Sequence, residues 1–280
     1  MQTRRRSTVL SVAAGRVVSK WTPPPPVPPW VRDEKMSVVI LNHRTWRECT
    51  RDCLEALLKN TAVPFEVVLL DNGSSRAEWD EIVAAVPKLE RKHRCRGSVK
   101  VVRSGRNLGF PGGVNRALEE VDSGARYVCL LNSDCFVREP RWNQRVARLF
   151  RDDWRVAALC LTRGEHRYFL DGGSGEDYYF AELDGALGDA EMVNGSCLVV
   201  DRRKVGELRL VDRSAVGGAD TRRIAELANS AILLDEQFSP GSREDDDLCF
   251  RIRSQGWSVG QAPDFDLVHE HSTTLRKRNW

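Results

Sequence analysis

Short apolar runs alternate along the chain with longer segments in which apolar residues recur every three or four positions. The apolar runs are rich in β-branched residues and predict buried strands at 36–42, 65–72, 99–105, 127–134 and 156–162. The segments between them have the apolar spacing of helices, at 45–60, 77–89, 112–121 and 141–150. Strands separated by helices of this length indicate βαβ units. We therefore predict an α/β fold with a mainly parallel central sheet flanked by helices.

The pattern is less regular in the second half of the chain. It predicts a strand within 191–205, a helix at 247–256 that Gly256 stops, and a short strand within 257–271. A polar, glycine-containing segment at 206–233 with one predicted helix lies between the first two of these elements. This segment interrupts the alternation and has the character of an insertion.

Residues 1–35 precede the alternating pattern as a basic, proline-rich extension. The prolines at 22–29 predict an extended polyproline conformation, because proline cannot donate a backbone hydrogen bond and disfavours helix in the residue before it. A tether, a partner-binding arm, a segment lying on an anionic membrane and a poorly ordered tail are the alternatives for this extension. We assign the remaining residues, 36–280, to one domain.

Composition and charge restrict the function classes. The 280 residues are 41% hydrophobic and 30% charged, which is typical of a soluble globular chain. A net charge of only +3 does not favour nucleic acid as a partner. No apolar stretch approaches the roughly eighteen residues of a membrane span, so we expect no segment to cross a membrane. We predict a cytoplasmic location. The basic segments 4–6 and 276–278 allow peripheral contact with an anionic membrane, although ordinary solvated charge also explains them.

The eight cysteines include no Cys-x-x-Cys pair, and most of them lie inside apolar runs. Cysteines in such positions behave as small hydrophobic residues. We therefore predict buried, reduced thiols and a reducing compartment, with disulfides and metal binding less favoured.

Polar residues follow the ends of the first four predicted strands. These residues are Asn42, then Asp71 and Asn72, then the glycine-rich segment 105–113, and finally Asn132, Ser133 and Asp134. In open parallel sheets, ligands bind at the carboxyl ends of the strands. A matched set of polar strand ends at one edge of the sheet therefore predicts a binding site there.

Each of these features also has a structural explanation. Residues 71–75 have the composition of a plain turn. The glycines of 105–113 either bring backbone N–H groups to an anion at a helix start or serve a loop with positive φ. Asp134 is either a metal ligand or the N-cap of a helix that follows it. His269 and His271 are either metal ligands close to Asp134 or surface histidines.

Four consecutive acids, Glu244 to Asp247, come directly before an apolar helical run. Ser242 and Asp245 have the spacing of a capping box, and acids in a first turn suit the helix dipole. A helix start explains why acids occur here but does not single one out, so a working carboxylate is the alternative for one of them.

A set of stretches in a fixed order carries a more specific resemblance. They are SVVILNHRTWRECTRDCLEAL, VVLLDNGSS, NLGFPGGVNRAL, LLNSDCFV, VNGSCLVVDRR, REDDDLCFRIRSQGW and APDFDLVHEHS. Together they resemble the GT-A-fold, family 2 glycosyltransferases, especially the rhamnosyl- and galactofuranosyltransferase-like branch, over roughly residues 36–272. The resemblance implies a Rossmann-like GT-A fold with a nucleotide-binding half at 36–165 and an acceptor-binding half at 166–280.

The resemblance also implies roles for individual residues. The donor, a nucleoside-diphosphate sugar, would be bound by Asn42, Asp71, Asn72, Asn107, Gly109, Gly112, Gly113, Asn132, Asn194 and Gly195. Asp134 and His269 would hold a divalent metal ion, Mn²⁺ or Mg²⁺. Glu244 and Asp245 match the Glu-Asp pair of the family, with Asp245 as the catalytic base. The acceptor would be a saccharide, a lipid-linked molecule or a protein.

The implied reaction is inverting, metal-dependent sugar transfer in polysaccharide or glycoconjugate synthesis. Two stretches depart from the family pattern: residues 206–233 and the segment that leads to the Glu-Asp pair, LLDEQFSPGSREDDD. Both lie in the acceptor-binding half, so the identity of the acceptor does not follow from the resemblance. A non-catalytic sugar-nucleotide binder is one alternative, although it would need neither Asp134, Asp245 nor His269. A sugar-phosphate nucleotidyltransferase is another, but LNHRTW lacks the glycine-rich loop expected after its first strand.

Overall fold

The computed structural model describes residues 34–162 without 63 and 94–96, residues 193–205, and residues 234–270 without 242, 255 and 263. For five short strands outside these ranges it describes only the backbone. The predicted helix within 206–233 and the histidine at 271 lie outside the described residues.

The strands and helices follow one another as the sequence pattern predicts through most of the described chain. The elements of the first half are β1 Ser11–Ala13, β2 Arg16–Val18, β3 Met36–Asn42, a π-helical turn Trp46–Thr50, α1 Arg51–Asn60, β4 Phe65–Asn72, α2 Arg76–Lys92, β5 Ser98–Ser104, α3 Gly109–Leu118 and β6 Tyr127–Leu131. Those of the second half are β7 Cys135–Val137, α4 Trp142–Asp152, β8 Val156–Cys160, β9 Tyr168–Phe169, β10 Tyr178–Tyr179, β11 Gly188–Ala190, β12 Cys197–Asp201, α5 Arg202–Val205, a 3₁₀ turn Glu236–Phe238, α6 Glu244–Ser254, β13 Ser258–Gln261 and β14 Leu267–His269.

The central sheet has eight strands in the order β11-β13-β8-β12-β6-β3-β4-β5. Strands β6, β3, β4 and β5 are parallel neighbours, and β13 is parallel to β8. The prediction of a mainly parallel α/β sheet flanked by helices is confirmed. Two strands differ: β11 runs antiparallel to β13, and β12 runs antiparallel between β6 and β8. Every residue of β12 is buried, so its apolar pattern carries no sign of its direction.

Helices cover both faces of the sheet. Residues that alternate along β3, such as Val38 and Val39, belong to two different hydrophobic clusters because successive strand side chains point to opposite faces. Helices α1, α2 and α4 pack on the first cluster, whereas α3 and α6 pack on the second. The glycine-rich helix α3 and the acid-rich helix α6 therefore lie on the same side of the sheet.

The fourth predicted strand ends earlier than expected. Strand β6 stops at Leu131, and a turn follows in which Cys135 N donates to Asn132 O at 3.0 Å. The residues after the turn form β7, which pairs antiparallel with β14 and places His269 opposite Cys135. The alternative that Asp134 caps a helix is therefore wrong, because a strand and not a helix follows it.

Two helix starts also differ from the sequence pattern. Helix α3 begins at Gly109 rather than at residue 112, so its glycines lie in the helix and not in a long loop. Helix α6 begins at Glu244, which places all four acids in its first turn. The capping partner expected at position 242 lies outside the described residues. The predicted stop of this helix is confirmed, since Gly256 follows it with φ +83°.

Seven cysteines are described, and all of them are buried with free thiols. This confirms the prediction of buried cysteines for the described part of the chain. Among the described helices, none has the length and apolarity that crossing a membrane would require.

Candidate active site

A cavity of about 320 Å³ opens at the carboxyl ends of β3, β4 and β6. The starts of α3 and α6 form its sides, and Asn194 to Ser196 before β12 form another wall. Most of the predicted site residues line it: Asn72, Asn107, Gly109, Asn132, Asp134, Asn194, Gly195, Glu244, Asp245 and His269. The structure thus brings together residues that are up to about two hundred positions apart in the sequence.

The other predicted residues lie behind the cavity wall. Asn42 and Asp71 are fully buried, and Asn42 Nδ2 donates to Asp71 Oδ1 at 3.1 Å. Gly112 and Gly113 lie inside α3. A Cβ atom at Gly113 would come within 2.5 Å of Leu41 Cδ2, so this glycine lets the helix pack close to the sheet. These four residues support the wall from behind, and they are absent from the described lining.

Asn72 holds the loop between β5 and α3 in place. Its Nδ2 atom donates to Gly109 O at 2.9 Å and to Asn107 Oδ1 at 3.1 Å. Its Oδ1 atom accepts from Leu108 N at 2.9 Å. One amide side chain at the end of β4 therefore fixes three consecutive residues at the mouth of the cavity.

His43 is a lining residue that the sequence analysis missed. Its Nδ1 atom lies 2.8 Å from Asn72 O, and Asn107 Nδ2 lies 3.4 Å from its Nε2 atom. A carbonyl oxygen only accepts, so Nδ1 must carry the proton and Nε2 is left to accept from Asn107. The available signal was its position directly after Asn42, since a residue next to a strand end shares the edge of the sheet.

Gly73 must stay a glycine for this loop to keep its position. It has φ +79°, and a Cβ atom there would lie 2.4 Å from Asn107 N. We expect Gly73→Ala to push Asn107 away and to weaken, by about tenfold, the nucleotide binding that the sequence resemblance implies, besides a strain of roughly 1–2 kcal/mol for the left-handed backbone. The measurement is nucleotide affinity by calorimetry. Gly256→Ala is the control, because Gly256 has φ +83° and open space around it. Equal losses of affinity in both variants would contradict the expectation.

Asp134 and His269 form an oxygen–nitrogen pair in the cavity. Asp134 Oδ1 lies 3.4 Å from His269 Nε2, and Glu270 N donates to Asp134 O at 3.0 Å. The pairing of β7 with β14 creates this contact. Carboxylate and imidazole are suitable ligands for Mn²⁺, and carboxylate also suits Mg²⁺.

Cys135 Sγ lies within 4.8 Å of the Asp134 and His269 ligand atoms, yet its environment is that of a core residue. The thiol is fully buried and donates to Ser196 O at 3.2 Å. Burial raises the pKa of Cys135 well above its usual value, which opposes the thiolate form that binds metals. The donor set is therefore best described as Asp134 with His269.

The four acids of α6 have separate environments. Asp245 Oδ2 accepts from Gly195 N at 2.8 Å, and its Oδ1 accepts from Asp246 N at 3.0 Å. Glu244 lines the cavity beside it. Asp247 Oδ2 accepts instead from the buried Arg251, at 2.8 Å, and so stabilises the helix. The cavity thus receives the first two acids of the run.

The profile of glycosyl transferase family 2 matches residues 37–208. The chain belongs to this family. No curated protein sequence matches it significantly. The fold is GT-A, as the resemblance implied.

Solved structures of S. aureus TarS resemble this glycosyl transferase family 2 chain in fold. TarS matches with a TM-score of 0.50 and 17% identity over 82% of this chain and 35% of that chain. TarS 1-349 in complex with UDP matches with a TM-score of 0.50 and 17% identity over 82% of this chain and 58% of that chain. The chain thus spans between about a third and three fifths of the TarS chains that it matches.

The absence of a side chain at Gly195 lets Asp245 lie close to the backbone of the cavity wall. A Cβ atom at Gly195 would lie 3.1 Å from Asp245 Cβ and 3.3 Å from its Oδ2. We expect Gly195→Ala to displace the carboxylate and to lower kcat by about tenfold or more, because the resemblance implies that Asp245 is the base and small misplacements of reacting groups are costly.

Steady-state kinetics would measure this effect. Gly124→Ala is the matched control, since its Cβ would lie 3.1 Å from Asp122 Oδ1, a comparably close approach to a carboxylate outside the cavity lining. Unchanged kcat in Gly195→Ala would show that Asp245 tolerates a shifted position.

Proposed function

We propose that this chain is an inverting, metal-dependent glycosyltransferase that moves a sugar from a nucleoside-diphosphate sugar to an acceptor hydroxyl. The observation that carries the proposal is the meeting of two pairs in one cavity: Glu244 with Asp245, and Asp134 with His269. A binding protein needs no such combination of a candidate base with a candidate metal pair. Membership of glycosyl transferase family 2 supports the same reaction class.

The charge of the cavity supports a metal requirement. Its described lining contains the carboxylates of Asp134, Glu244 and Asp245, and neither a lysine nor an arginine. A diphosphate would meet only negative charge there, apart from its contacts with amides and histidines. Asp134 and His269 would hold the ion, Mn²⁺ or Mg²⁺, which when bound supplies the positive charge that the departing diphosphate needs.

Asp245 is positioned to act as the base. Its two oxygens each accept one backbone N–H, which fixes the carboxylate without using all of its acceptor capacity. An acceptor hydroxyl that donates to the remaining lone pair would lose its proton to Asp245 as it attacks the sugar. One base is enough for direct displacement, which inverts the configuration at the sugar carbon and requires no nucleophile from the protein.

The donor would lie across the cavity between two sets of residues. His43, Asn72 and Asn107 offer polar groups on the side of β3 and β4, where we place the nucleotide. Asn194 and Gly195 stand near Asp245, where we place the sugar. UDP-sugars are the first donors to test, because the TarS 1-349 structure contains UDP.

The finer assignments are proposals from the resemblance. We place the enzyme in the rhamnosyl- and galactofuranosyltransferase-like branch, with a role in polysaccharide or glycoconjugate synthesis. The acceptor would be a saccharide, a lipid-linked molecule or a protein.

The test is an assay of the full chain with a panel of nucleotide sugars and Mn²⁺. Release of nucleoside diphosphate that rises on addition of an acceptor supports the proposal. Nucleotide binding without turnover on any donor would identify a sugar-nucleotide binder instead. Pyrophosphate release from a nucleoside triphosphate and a sugar phosphate would identify a nucleotidyltransferase.

A further inference from the structure

The segment 234–241 forms a strap that crosses the first turns of α3 just before the catalytic helix α6. It begins at the buried Leu234, includes the 3₁₀ turn Glu236–Phe238, and ends at Gly241 in the cavity wall. Residue 244, the first of α6, follows three positions later. The place of the strap therefore constrains where α6 can start.

Asn115 fastens one end of the strap. Its Oδ1 atom accepts from Leu234 N at 2.9 Å, and its Nδ2 atom donates to Leu234 O at 2.8 Å and to Glu236 Oε1 at 3.2 Å. The side chain is only 5% exposed, so these hydrogen bonds are shielded from water. The Asn115 amide thus pairs with both backbone groups of Leu234, as a neighbouring strand would.

The other end of the strap is fastened at the start of α3. Phe110 N donates to Pro240 O at 2.6 Å. A Cβ atom at Gly109 would lie 2.3 Å from Ser239 Oγ, and one at Gly241 would lie 2.9 Å from Phe110 Cβ. The backbones therefore approach each other more closely than larger residues would permit.

The strap connects the two sides of the cavity. Gly109 and Phe110 line it on the side of α3, and Gly241 lines it where the strap ends. Asp245 comes four residues later and accepts from Gly195 N across the cavity. A shift of the strap along α3 would move the start of α6 and would lengthen this hydrogen bond.

We propose that Asn115 is a positioning residue that sets the place of Asp245 through the strap, without lining the cavity itself. Its effect on catalysis rests on the proposed glycosyltransferase function. The effect on the geometry of Asp245 does not depend on that function, and it can be measured separately.

The chain contains a matched control for this proposal. Asn143 on α4 is also 5% exposed, and its amide likewise contacts both backbone groups of one residue, Ala62. Ala62 N donates to Asn143 Oδ1 at 3.0 Å, and Asn143 Nδ2 donates to Ala62 O at 2.7 Å. Asn143 is absent from the cavity lining. Replacing either asparagine with aspartate keeps the shape but converts the donor into an acceptor.

The kinetic test compares Asn115→Asp with Asn143→Asp. We expect kcat to fall about 10- to 100-fold in Asn115→Asp, with the donor KM within about twofold of the wild type, since only the alignment of the base is lost. Asn143→Asp should lose similar thermal stability and keep its kcat. Adding Glu236→Gln to Asn115→Asp should restore part of kcat. The amide introduced at position 236 can donate to the carboxylate introduced at position 115, which reverses the direction of the original hydrogen bond. Equal kcat losses in the two single variants would overturn the proposal.

Hydrogen exchange of the full chain tests the geometry without any substrate. We expect faster exchange of Phe110 N–H and Gly195 N–H in Asn115→Asp than in Asn143→Asp, because these groups donate to Pro240 and Asp245. Unchanged protection of Gly195 N–H would overturn the proposal even if the enzyme is active. Faster exchange in a chain whose wild type transfers no sugar would uphold the strap and reject the proposed function.

Discussion

Asp245→Asn is expected to reduce sugar transfer by about 10²- to 10⁴-fold, which is the range that general base catalysis typically contributes. The asparagine side chain retains an oxygen that can accept from Gly195 N, so the contact that orients the residue at 2.8 Å survives. It lacks the carboxylate that we propose takes the acceptor proton. Donor binding should therefore stay nearly intact while kcat falls. Product formation and donor affinity, measured separately, distinguish these effects.

Asp246→Asn is the control for this prediction. Asp246 carries the same charge one residue later in α6, but it is absent from the described cavity lining. We expect it to keep most of the activity. If Asp245→Asn instead loses donor binding as strongly as turnover, its carboxylate has a structural role and another group must be the base.

The sequence could predict the polar strand ends of the site but not how deeply each polar residue is buried. The polar ends of β3 and β4 follow directly from the pattern, because an apolar run that stops at Asn42 or at Asn72 marks both a strand end and the edge of the sheet. The pattern could not show that Asp71 is fully buried beneath that edge, since burial depends on how Asn42 and Arg103 pack against it.

Contacts between distant segments were beyond the reach of local patterns. Strand β7 has only three residues, and its pairing with β14 places His269 beside Asp134. Asn115 and Leu234 are 119 positions apart, and no spacing rule connects them. Such contacts arise from tertiary packing, which alternation and helical spacing do not encode.

The run of four acids also combines a feature that the local sequence predicts with one that only tertiary packing determines. Successive residues of a helix point about 100° apart, so the acids of one turn cannot all face one cavity. The sequence alone explains a helix start and leaves the choice among the acids open. The structure separates them, because Asp245 contacts Gly195 whereas Asp247 pairs with Arg251.

Removing the proposed metal ion is expected to abolish transfer, and Asp134→Asn should reproduce most of that loss. Asparagine keeps one oxygen ligand but removes the negative charge beside His269, whose Nε2 lies 3.4 Å from Asp134 Oδ1. Loss of an outer-shell partner typically lowers metal affinity roughly 10- to 100-fold, so losing the charge of Asp134, the proposed direct ligand, should cost at least as much. Titration of the full chain with Mn²⁺, followed by electron paramagnetic resonance, measures this affinity apart from activity.

Cys135→Ala tests whether the Cys135 thiol is a third metal ligand beside Asp134 and His269 or a core residue. The Cys135 thiol lies within 4.8 Å of both ligand atoms, so proximity alone would make it a third ligand. Its burial and its hydrogen bond to Ser196 O make it a core residue instead. We therefore expect Cys135→Ala to bind Mn²⁺ as the wild type does, with lower thermal stability. Activity that persists in a strong chelator, together with unaltered Mn²⁺ binding in Asp134→Asn, would remove the metal from the proposed mechanism. The negative cavity would then need another source of positive charge.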